Sequence, residues 1–311
     1  MELSIIIPTF NRVNIATLTI QTIVKILPKI TSKYQIIVIN DGDENLDISV
    51  NNLQIYKNPK KGVASARNFG VSKAKYPNLL FLDDDMILTE DALRYYFSFF
   101  NDIDRSKQYC LNIKWEMPKE LILKCKKTNF GRFLINIQYT DMKGWMKNNN
   151  LWKENEEFIV PHLASYALAI TKENFLKVGG YNETYPYAGF EDYDFSNRVR
   201  DAGIKVILNT KYIIYHNEMD RIEPKEWFKR RYNEGATRYI YVKLSKDISE
   251  TINPSFLKRI IFCFVYSFSS FILFITEILN YKILDRIFFF IYKVIAGTYI
   301  WKGYSDYAKK N

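Results

Sequence analysis

The 311-residue chain has few of the residues that hold small domains together through disulfides or metal ions. Its three cysteines, Cys110, Cys125 and Cys263, lie far apart and form no Cys-x-x-Cys pair. This spacing excludes a disulfide framework, argues against a zinc site and indicates a reducing compartment. The chain also has only two histidines. Because the first apolar run, at 4–8, begins almost directly at Met1, we expect no signal peptide.

Negative charge is scarce toward the C-terminus. Residues 221–311 carry 16 Lys and Arg against 8 Asp and Glu, whereas residues 1–220 carry 28 against 26. A basic segment predicts an anionic partner. Nucleic acid is disfavoured as that partner, because the basic residues flank apolar stretches and form no polar stripe.

Two of those stretches are long. Residues 260–276 carry no charge, and residues 283–301 are rich in aromatic side chains but include three charges. Because a spanning helix needs roughly 20 apolar residues, the first is borderline and the second is too charged. We therefore expect helices that lie on an anionic membrane surface. A buried helical hairpin or a homo-oligomer interface is the alternative.

Apolar runs and helical patterns alternate along the rest of the chain. Strands are predicted at 4–8, 35–39, 53–56, 79–82, 107–113, 164–170 and 205–208. Helices are predicted at 13–27, 63–75, 90–100, 172–178 and 191–202. We interpret 115–157 as an irregular insertion over the strand ends. The pattern predicts an α/β fold with a Rossmann-like, mostly parallel central sheet flanked by helices.

Three consecutive carboxylates, Asp83, Asp84 and Asp85, directly follow the apolar run 79–82. Ligands of open α/β sheets bind at the carboxyl ends of strands, and oxygen ligands there suit Mg²⁺ or Mn²⁺ shared with a diphosphate. A solvated acidic turn before the next helix is the alternative. His216 follows a late apolar run and could bind the same ion as Asp85, although a lone histidine is more often structural.

Other polar residues occupy comparable positions. Asp41 follows the second strand and could accept hydrogen bonds from a base or ribose, or simply form an Asp-Gly turn. Small residues from Gly62 to Gly70 open a helix in which Arg67 could clamp phosphate, and tight packing explains them equally well. Asp192 begins a helix and could be a general base or merely complement the helix dipole.

In this order the motifs resemble the family 2 glycosyltransferases with the GT-A fold, from Ser4 to about Met219. The residues that carry the resemblance are Ile7-Pro8-Thr9-Phe10-Asn11-Arg12, Val38-Ile39-Asn40-Asp41-Gly42, Ala66-Arg67-Asn68, Phe81-Leu82-Asp83-Asp84-Asp85, Gly179-Gly180-Tyr181-Asn182-Glu183 and Glu191-Asp192-Tyr193-Asp194.

The resemblance implies a role for each matching residue. The nucleotide of a sugar-nucleotide donor would be held by Pro8, Thr9, Asn11, Arg12, Asp41, Arg67, Asp83 and Asp84. Asp85, with Asp83 and His216, would bind Mn²⁺ or Mg²⁺. Asp192 would be the catalytic base, and Glu191 would position the acceptor. We further expect Asp84 to point to the opposite side of the strand end and to tolerate substitution best of the three aspartates.

The activity implied is inverting transfer of one sugar from a nucleoside-diphosphate sugar, expected to be a UDP-sugar. The acceptor would be a hydroxyl of a glycan or lipid-linked molecule in cell-surface polysaccharide or glycolipid biosynthesis. Absence of Gln-x-x-Arg-Trp disfavours a processive synthase. A catalytically silent nucleotide-sugar-binding subunit that recruits a partner enzyme is the alternative.

The expected organisation is a catalytic domain at 1–220 followed by a basic helical tail at 221–311. Within the catalytic domain, residues 1–105 would form the nucleotide-sugar half and residues 106–220 the acceptor half. The tail would hold the protein at the cytoplasmic face of a membrane.

Overall fold

The computed structural model describes residues 2–146, 151–245 and 247–310. The chain divides into two compact units. Unit 1 comprises Met1–Glu116, Met146–Pro186 and Glu191–Asn217, and unit 2 comprises Met117–Trp145, Tyr187–Phe190 and Glu218–Asn311. Since each unit draws on separated stretches of sequence, neither corresponds to one continuous segment.

Unit 1 is built on a mixed sheet. Its strands are β1 (Leu3–Thr9), β2 (Tyr34–Asn40), β3 (Leu53–Lys57), β4 (Asn78–Leu82), β5 (Met86–Leu88), β6 (Tyr109–Glu116), β7 (Glu157–Val160), β8 (Ala167–Thr171) and β9 (Lys205–His216). They follow the order β3-β2-β1-β4-β8-β6-β9-β5, and β7 pairs with β9. The expected parallel arrangement holds for β1 to β4 and for β6 with β9. By contrast β8 runs antiparallel to β4 and β6, and β9 runs antiparallel to β5 and β7.

Helices accompany this sheet, which confirms the predicted α/β class. They are α1 (Val13–Ile26), α2 (Val63–Lys73), α3 (Glu90–Asn101), α4 (Ile103–Gln108), α8 (Lys172–Lys177) and α9 (Phe190–Asp201). All seven residues of β1 are buried, because β2 and β4 flank it and α2 packs against it. A Cβ on Gly70 of α2 would lie 2.3 Å from Cγ2 of Ile6, so this close packing requires glycine there.

Unit 2 is helical. It contains α5 (Lys119–Cys125), α6 (Asn129–Asn136), α7 (Met142–Trp145), α10 (Pro224–Ser245), α11 (Phe256–Ile278) and α12 (Asp285–Lys310). The prediction of an irregular insertion at 115–157 is therefore wrong, since the helices α5, α6 and α7 lie within it. The last strand is also longer than the predicted 205–208.

The helices α10 and α12 pack with their backbones in close contact. A Cβ on Gly235 would lie 1.9 Å from the Ile300 carbonyl oxygen, and one on Gly303 would lie 1.9 Å from that of Tyr232. Tyr292 of α12 is fully buried, and its hydroxyl donates to Oδ1 of Asn129 at 2.8 Å. The expectation that 283–301 lies on a membrane is therefore wrong for this face of α12, which packs inside unit 2.

Helix α11 is different, because its apolar side chains remain largely exposed. Phe264, Phe271 and Phe274 are 62%, 63% and 57% exposed. The helix is long and apolar enough to cross a membrane, judged by its length and composition.

Candidate active site

The acidic triplet follows β4; Asp83 contacts Arg67, whereas Asp84 and Asp85 share Arg12. Oδ1 of Asp83 lies 3.0 Å from Nη2 of Arg67. Asp84 is buried and accepts hydrogen bonds from the Thr9 hydroxyl at 2.7 Å and from Nη1 of Arg12 at 2.5 Å. Asp85 is fully buried, with Oδ2 2.9 Å from Nη2 of Arg12. Adjacent like charges are thus tolerated because guanidinium groups lie between them.

Strand pairing brings His216 to Asp85 across a large separation in sequence. The antiparallel pairing of β5 with β9 sets Met86 opposite His216, and the Asn217 N–H donates to the Asp85 carbonyl at 2.7 Å. Nε2 of His216 consequently lies 3.3 Å from Oδ1 of Asp85. The Trp115 ring packs edge-on against the imidazole, with the ring centroids 4.7 Å apart.

This pair fits a divalent ion of the Mn²⁺ or Mg²⁺ type. Carboxylate oxygen with imidazole nitrogen is a suitable donor set for Mn²⁺, and carboxylate oxygen alone suits Mg²⁺. Two ligands at right angles, each about 2.1 Å from one ion, stand about 3 Å apart, close to the spacing of Asp85 and His216. Asp83 instead contacts Arg67, so its part in metal binding remains a prediction.

Arg67 is the centre of the neighbouring charge cluster. Its guanidinium is only 3% exposed and lies 3.0 Å from Asp83, 3.1 Å from Glu191 and 3.6 Å from Asp192. It also lies over the ring of Tyr181, 5.1 Å from the centroid. Burial by itself lowers the pKa of Arg67, but the surrounding carboxylates outweigh burial and raise that pKa. The cation is therefore permanent and holds three acidic side chains together.

Glu191 is 2% exposed, and its carboxylate contacts Arg67. This contact fixes the Glu191 carboxylate against the Arg67 guanidinium, and the acceptor-positioning role of Glu191 remains a prediction. The phosphate contact expected of Arg67 remains a prediction, since a guanidinium carries five N–H donors and can serve several anions.

Asp192 lies in the first turn of α9 and is 26% exposed. Its Oδ2 accepts a hydrogen bond from the Ser165 N–H at 3.2 Å, and its Oδ1 accepts one from the Ser165 hydroxyl. Burial raises the pKa of Asp192, Arg67 and the Ser165 hydrogen bonds oppose that rise, and Asp83 adds to it. An accessible carboxylate with a raised pKa can accept a proton from a hydroxyl group.

Asp41 lies at the end of β2 and is held by the segment that leads into α2. Its oxygens accept hydrogen bonds from the Gly62 N–H, at 3.0 Å to Oδ2, and from Nδ2 of Asn58 at 2.7 Å. Gly62 has φ of +123°, a conformation that favours glycine. Asp41 therefore shapes the start of α2, which lies at the same sheet edge as Asp83.

The turn after β1 has a structural role that its sequence did not reveal. Pro8 pairs with Ile39 in the sheet, while Thr9 and Arg12 contact the triplet. The Asn11 side chain accepts a hydrogen bond from the Asp43 N–H at 2.8 Å. Thr9, Asn11 and Arg12 therefore organise the acidic triplet and the Asp41 turn, and the donor contacts expected of Pro8, Thr9, Asn11 and Arg12 remain a prediction.

Two residues of the cluster were missed as site residues. Ser165 lies in the predicted strand 164–170, two residues before β8, and the strand pattern carried no signal for a role in the site. Tyr181 did carry one, because it belongs to the Gly179-Gly180-Tyr181 motif, to which no role had been assigned.

Comparison with known proteins identifies the class. Residues 4–175 match the family described as glycosyl transferase family 2, and residues 155–220 match a family described as the N-terminal domain of galactosyltransferase. The first match covers more than half of the chain. The chain belongs to glycosyl transferase family 2.

A curated relative is an uncharacterized glycosyltransferase of Rickettsia bellii, 33% identical over 109 residues. The match covers 32% of this chain and 15% of the relative, so the chain spans a small part of that longer protein.

Two solved structures share the GT-A fold. A mannosyltransferase of Pyrobaculum calidifontis, solved with GDP-Man and Mn²⁺, has a TM-score of 0.53 at 12% identity and covers 97% of this chain and 86% of its own. GalNAc-T7, solved with UDP, GalNAc and Mn²⁺, has a TM-score of 0.50 at 16% identity and covers 69% of this chain and 43% of its own. At these identities the likeness concerns the fold.

Proposed function

We propose that this chain is an inverting, metal-dependent glycosyltransferase. It moves one sugar from a nucleoside-diphosphate sugar, with UDP as the nucleotide we favour, to a hydroxyl of a glycan or lipid-linked acceptor. The observation that carries the proposal is the Arg67-centred cluster of Asp83, Glu191 and Asp192, which adjoins the Asp85–His216 pair through the triplet. The same sheet edge thus offers a metal-binding pair and a base.

The proposed reaction forms one bond, breaks another and transfers one proton. The acceptor hydroxyl oxygen forms a bond to carbon 1 of the donor sugar while the bond from carbon 1 to the diphosphate oxygen breaks. Asp192 takes the hydroxyl proton, and the electron pair of the broken bond leaves with the diphosphate. Direct attack on the face opposite the leaving group inverts the anomeric carbon. Asp85 and His216 would hold a divalent ion, which supplies positive charge to the leaving diphosphate.

Arg67 contributes through its permanent charge. It holds Asp83 and Asp192 within one cluster. Arg67 lies near the start of α2, and the residue before this helix, Gly62, donates a hydrogen bond to Asp41. Asp41 and Asp83 have lone pairs that could accept hydrogen bonds from the base and ribose of the nucleotide.

The test is transfer from a panel of UDP- and GDP-sugars in the presence of Mn²⁺, with Asp192→Asn as the decisive variant. We expect Asp192→Asn to lose at least a hundredfold in kcat, the scale of general-base catalysis. Asp194→Asn is the matched control on the same helix, because Asp194 pairs with Arg198 at 2.7 Å. Equal activity of wild type and Asp192→Asn would refute the proposed base.

A silent nucleotide-sugar-binding subunit is the alternative, and the comparisons, which match glycosyltransferases, do not favour it. It predicts donor binding without turnover. Metal-dependent donor hydrolysis or sugar transfer that is lost in Asp192→Asn would exclude it.

We further propose that α11 attaches the protein to an anionic membrane, with the cytoplasmic face as the side we favour. The exposed phenylalanines provide an apolar surface, and Lys258 and Arg259 lie in its first turn, where they can meet acidic headgroups. Removing the tail is a poor test, because α12 is packed inside unit 2. The full-length variant Phe264→Glu/Phe271→Glu should lose flotation with phosphatidylglycerol vesicles.

The matched control for that experiment is Leu176→Glu, which changes a leucine of α8 that is 60% exposed. It should float like wild type. Retained flotation of the double variant would refute the membrane role of α11, and a concentration-dependent dimer that the double variant abolishes would assign this face to a second copy.

A further inference from the structure

The carboxylate of Asp192 is held at both oxygens by a single residue, Ser165. The Ser165 N–H donates to Oδ2 at 3.2 Å, and the Ser165 hydroxyl donates to Oδ1. Ser165 is fully buried, so water does not compete for these hydrogen bonds. Since a carboxylate offers about four acceptor positions, each oxygen keeps one for an acceptor hydroxyl. Ser165 therefore fixes the plane of the carboxylate while leaving it able to take a proton.

Tyr181 extends this arrangement by one step. Its hydroxyl lies 2.5 Å from Oγ of Ser165. An ionised carboxylate only accepts hydrogen bonds, so the single Ser165 proton points to Asp192 and the Tyr181 hydroxyl must donate to Ser165. Burial raises the pKa of Tyr181, so the phenol stays protonated while Asp192 titrates. Stacking on Phe195, with the ring centroids 4.3 Å apart, holds the ring in place.

We propose that Tyr181 and Ser165 form a hydrogen-bond relay that orients Asp192 and keeps it ionised for catalysis. Both are positioning residues, and the inference rests on the proposed function of Asp192 as base. Around the carboxylate stand Arg67 of α2, Asp83 at the end of β4, Glu191 of α9 and Tyr181 of the preceding loop. Together with Arg67, the hydrogen bonds from Ser165 favour the charged form and so limit the rise in pKa that burial and Asp83 cause.

The test is the pH dependence of kcat/KM with the full-length protein and Mn²⁺. Ser165→Ala removes the hydroxyl donor and keeps the backbone donor. A hydrogen bond to a charged group corresponds to about one to two pH units, so the acidic midpoint of the profile should move upward by that amount. Tyr181→Phe should move it in the same direction by less, and Ser165→Thr, which retains a hydroxyl, should restore the wild-type midpoint.

Ser196→Ala is the matched control. Ser196 is a buried serine of the same helix as Asp192, and its Oγ accepts a hydrogen bond from the Leu163 N–H at 3.1 Å. It should leave the midpoint unchanged. The dissociation constant for the donor should also be unchanged in Ser165→Ala and Tyr181→Phe, because neither residue is placed at the nucleotide.

Each outcome decides the question. If wild type transfers sugar and the midpoints of Ser165→Ala and Tyr181→Phe coincide with that of wild type, the relay is refuted while the proposed function stands. If Ser165→Ala does not fold, Tyr181→Phe, which keeps the ring, decides alone. If wild type shows neither transfer nor donor hydrolysis with any nucleotide sugar, the proposed function fails and the relay fails with it.

Discussion

Replacing Arg67 by methionine should uncover the electrostatic cost that this guanidinium now offsets. Three carboxylates, Asp83, Glu191 and Asp192, lie 3.0, 3.1 and 3.6 Å from it, and the arginine is 3% exposed. Removing one partner of a buried ion pair typically costs about 3–5 kcal/mol of unfolding free energy. For a domain of this size, about 1 kcal/mol corresponds to about 2–4 °C, so we expect a fall of about 6–20 °C in melting temperature at pH 8.

The loss of stability in Arg67→Met should also depend on pH, and it should be smaller at lower pH. Without Arg67, which lowers the pKa of Asp192 in the wild-type protein, burial and Asp83 raise the folded-state pKa of Asp192 further above its unfolded value. The stability lost is then recovered as pH falls through the folded-state pKa of Asp192, because the protonated acid no longer carries the cost of a buried charge. The difference in melting temperature between wild type and Arg67→Met should therefore shrink from pH 8 to pH 5.

Thermal unfolding followed by circular dichroism at both pH values measures the effect. Arg94→Met is the control, because Arg94 is half exposed and pairs with Glu90 on the surface of α3. Its melting temperature should stay within the error of the measurement. A melting temperature of Arg67→Met close to that of wild type at pH 8, or a deficit that grows as pH falls, would refute the reasoning.

Three further predictions follow from packing and ligation. Asp84→Asn weakens one buried and one partly buried hydrogen bond and should lower the unfolding free energy by about 1.5–3 kcal/mol in urea titrations, contrary to the tolerance predicted from sequence. Gly70→Ala places a Cβ 2.3 Å from Ile6 and should cost about 1–3 kcal/mol in the same assay. His216→Ala should weaken Mn²⁺ binding at least tenfold in thermal-shift titrations, a ΔΔG of about 1.4 kcal/mol, while His162→Ala should leave it unchanged.

Much of the fold could be predicted because buried strands and helices have regular patterns of apolar residues in the sequence. The runs 4–8, 35–39 and 79–82 are apolar because both faces of those strands are covered, and β1, β2 and β4 appear there. The helices of 115–157 escaped prediction because they are short and mostly one or two turns long. Burial of α12 was predicted only as the alternative to a membrane-surface helix, because its charges obscured the apolar face that packs on α10.

The candidate residues of the site could be chosen from sequence, but apart from the expected pairing of His216 with Asp85 their partners could not. Polar residues directly after buried strands can be identified from the sequence alone. The same holds for Asp192 at a helix start and for Arg67 in a helix of small residues. Whether Asp84 faces solvent or Arg12 depends on the turn after β1, which lies 72 residues away in the chain.

By itself, the sequence of this chain determined its α/β class, the strand ends that carry the acidic groups and the exposed apolar helix. These follow from local periodicity and charge, which reflect burial residue by residue. Only the tertiary structure decided that Asp85 meets His216, that Arg67 unites three carboxylates and that Ser165 holds Asp192. The reason is physical, since these contacts depend on strand order and on the antiparallel pairing of β5 with β9, which no local pattern encodes.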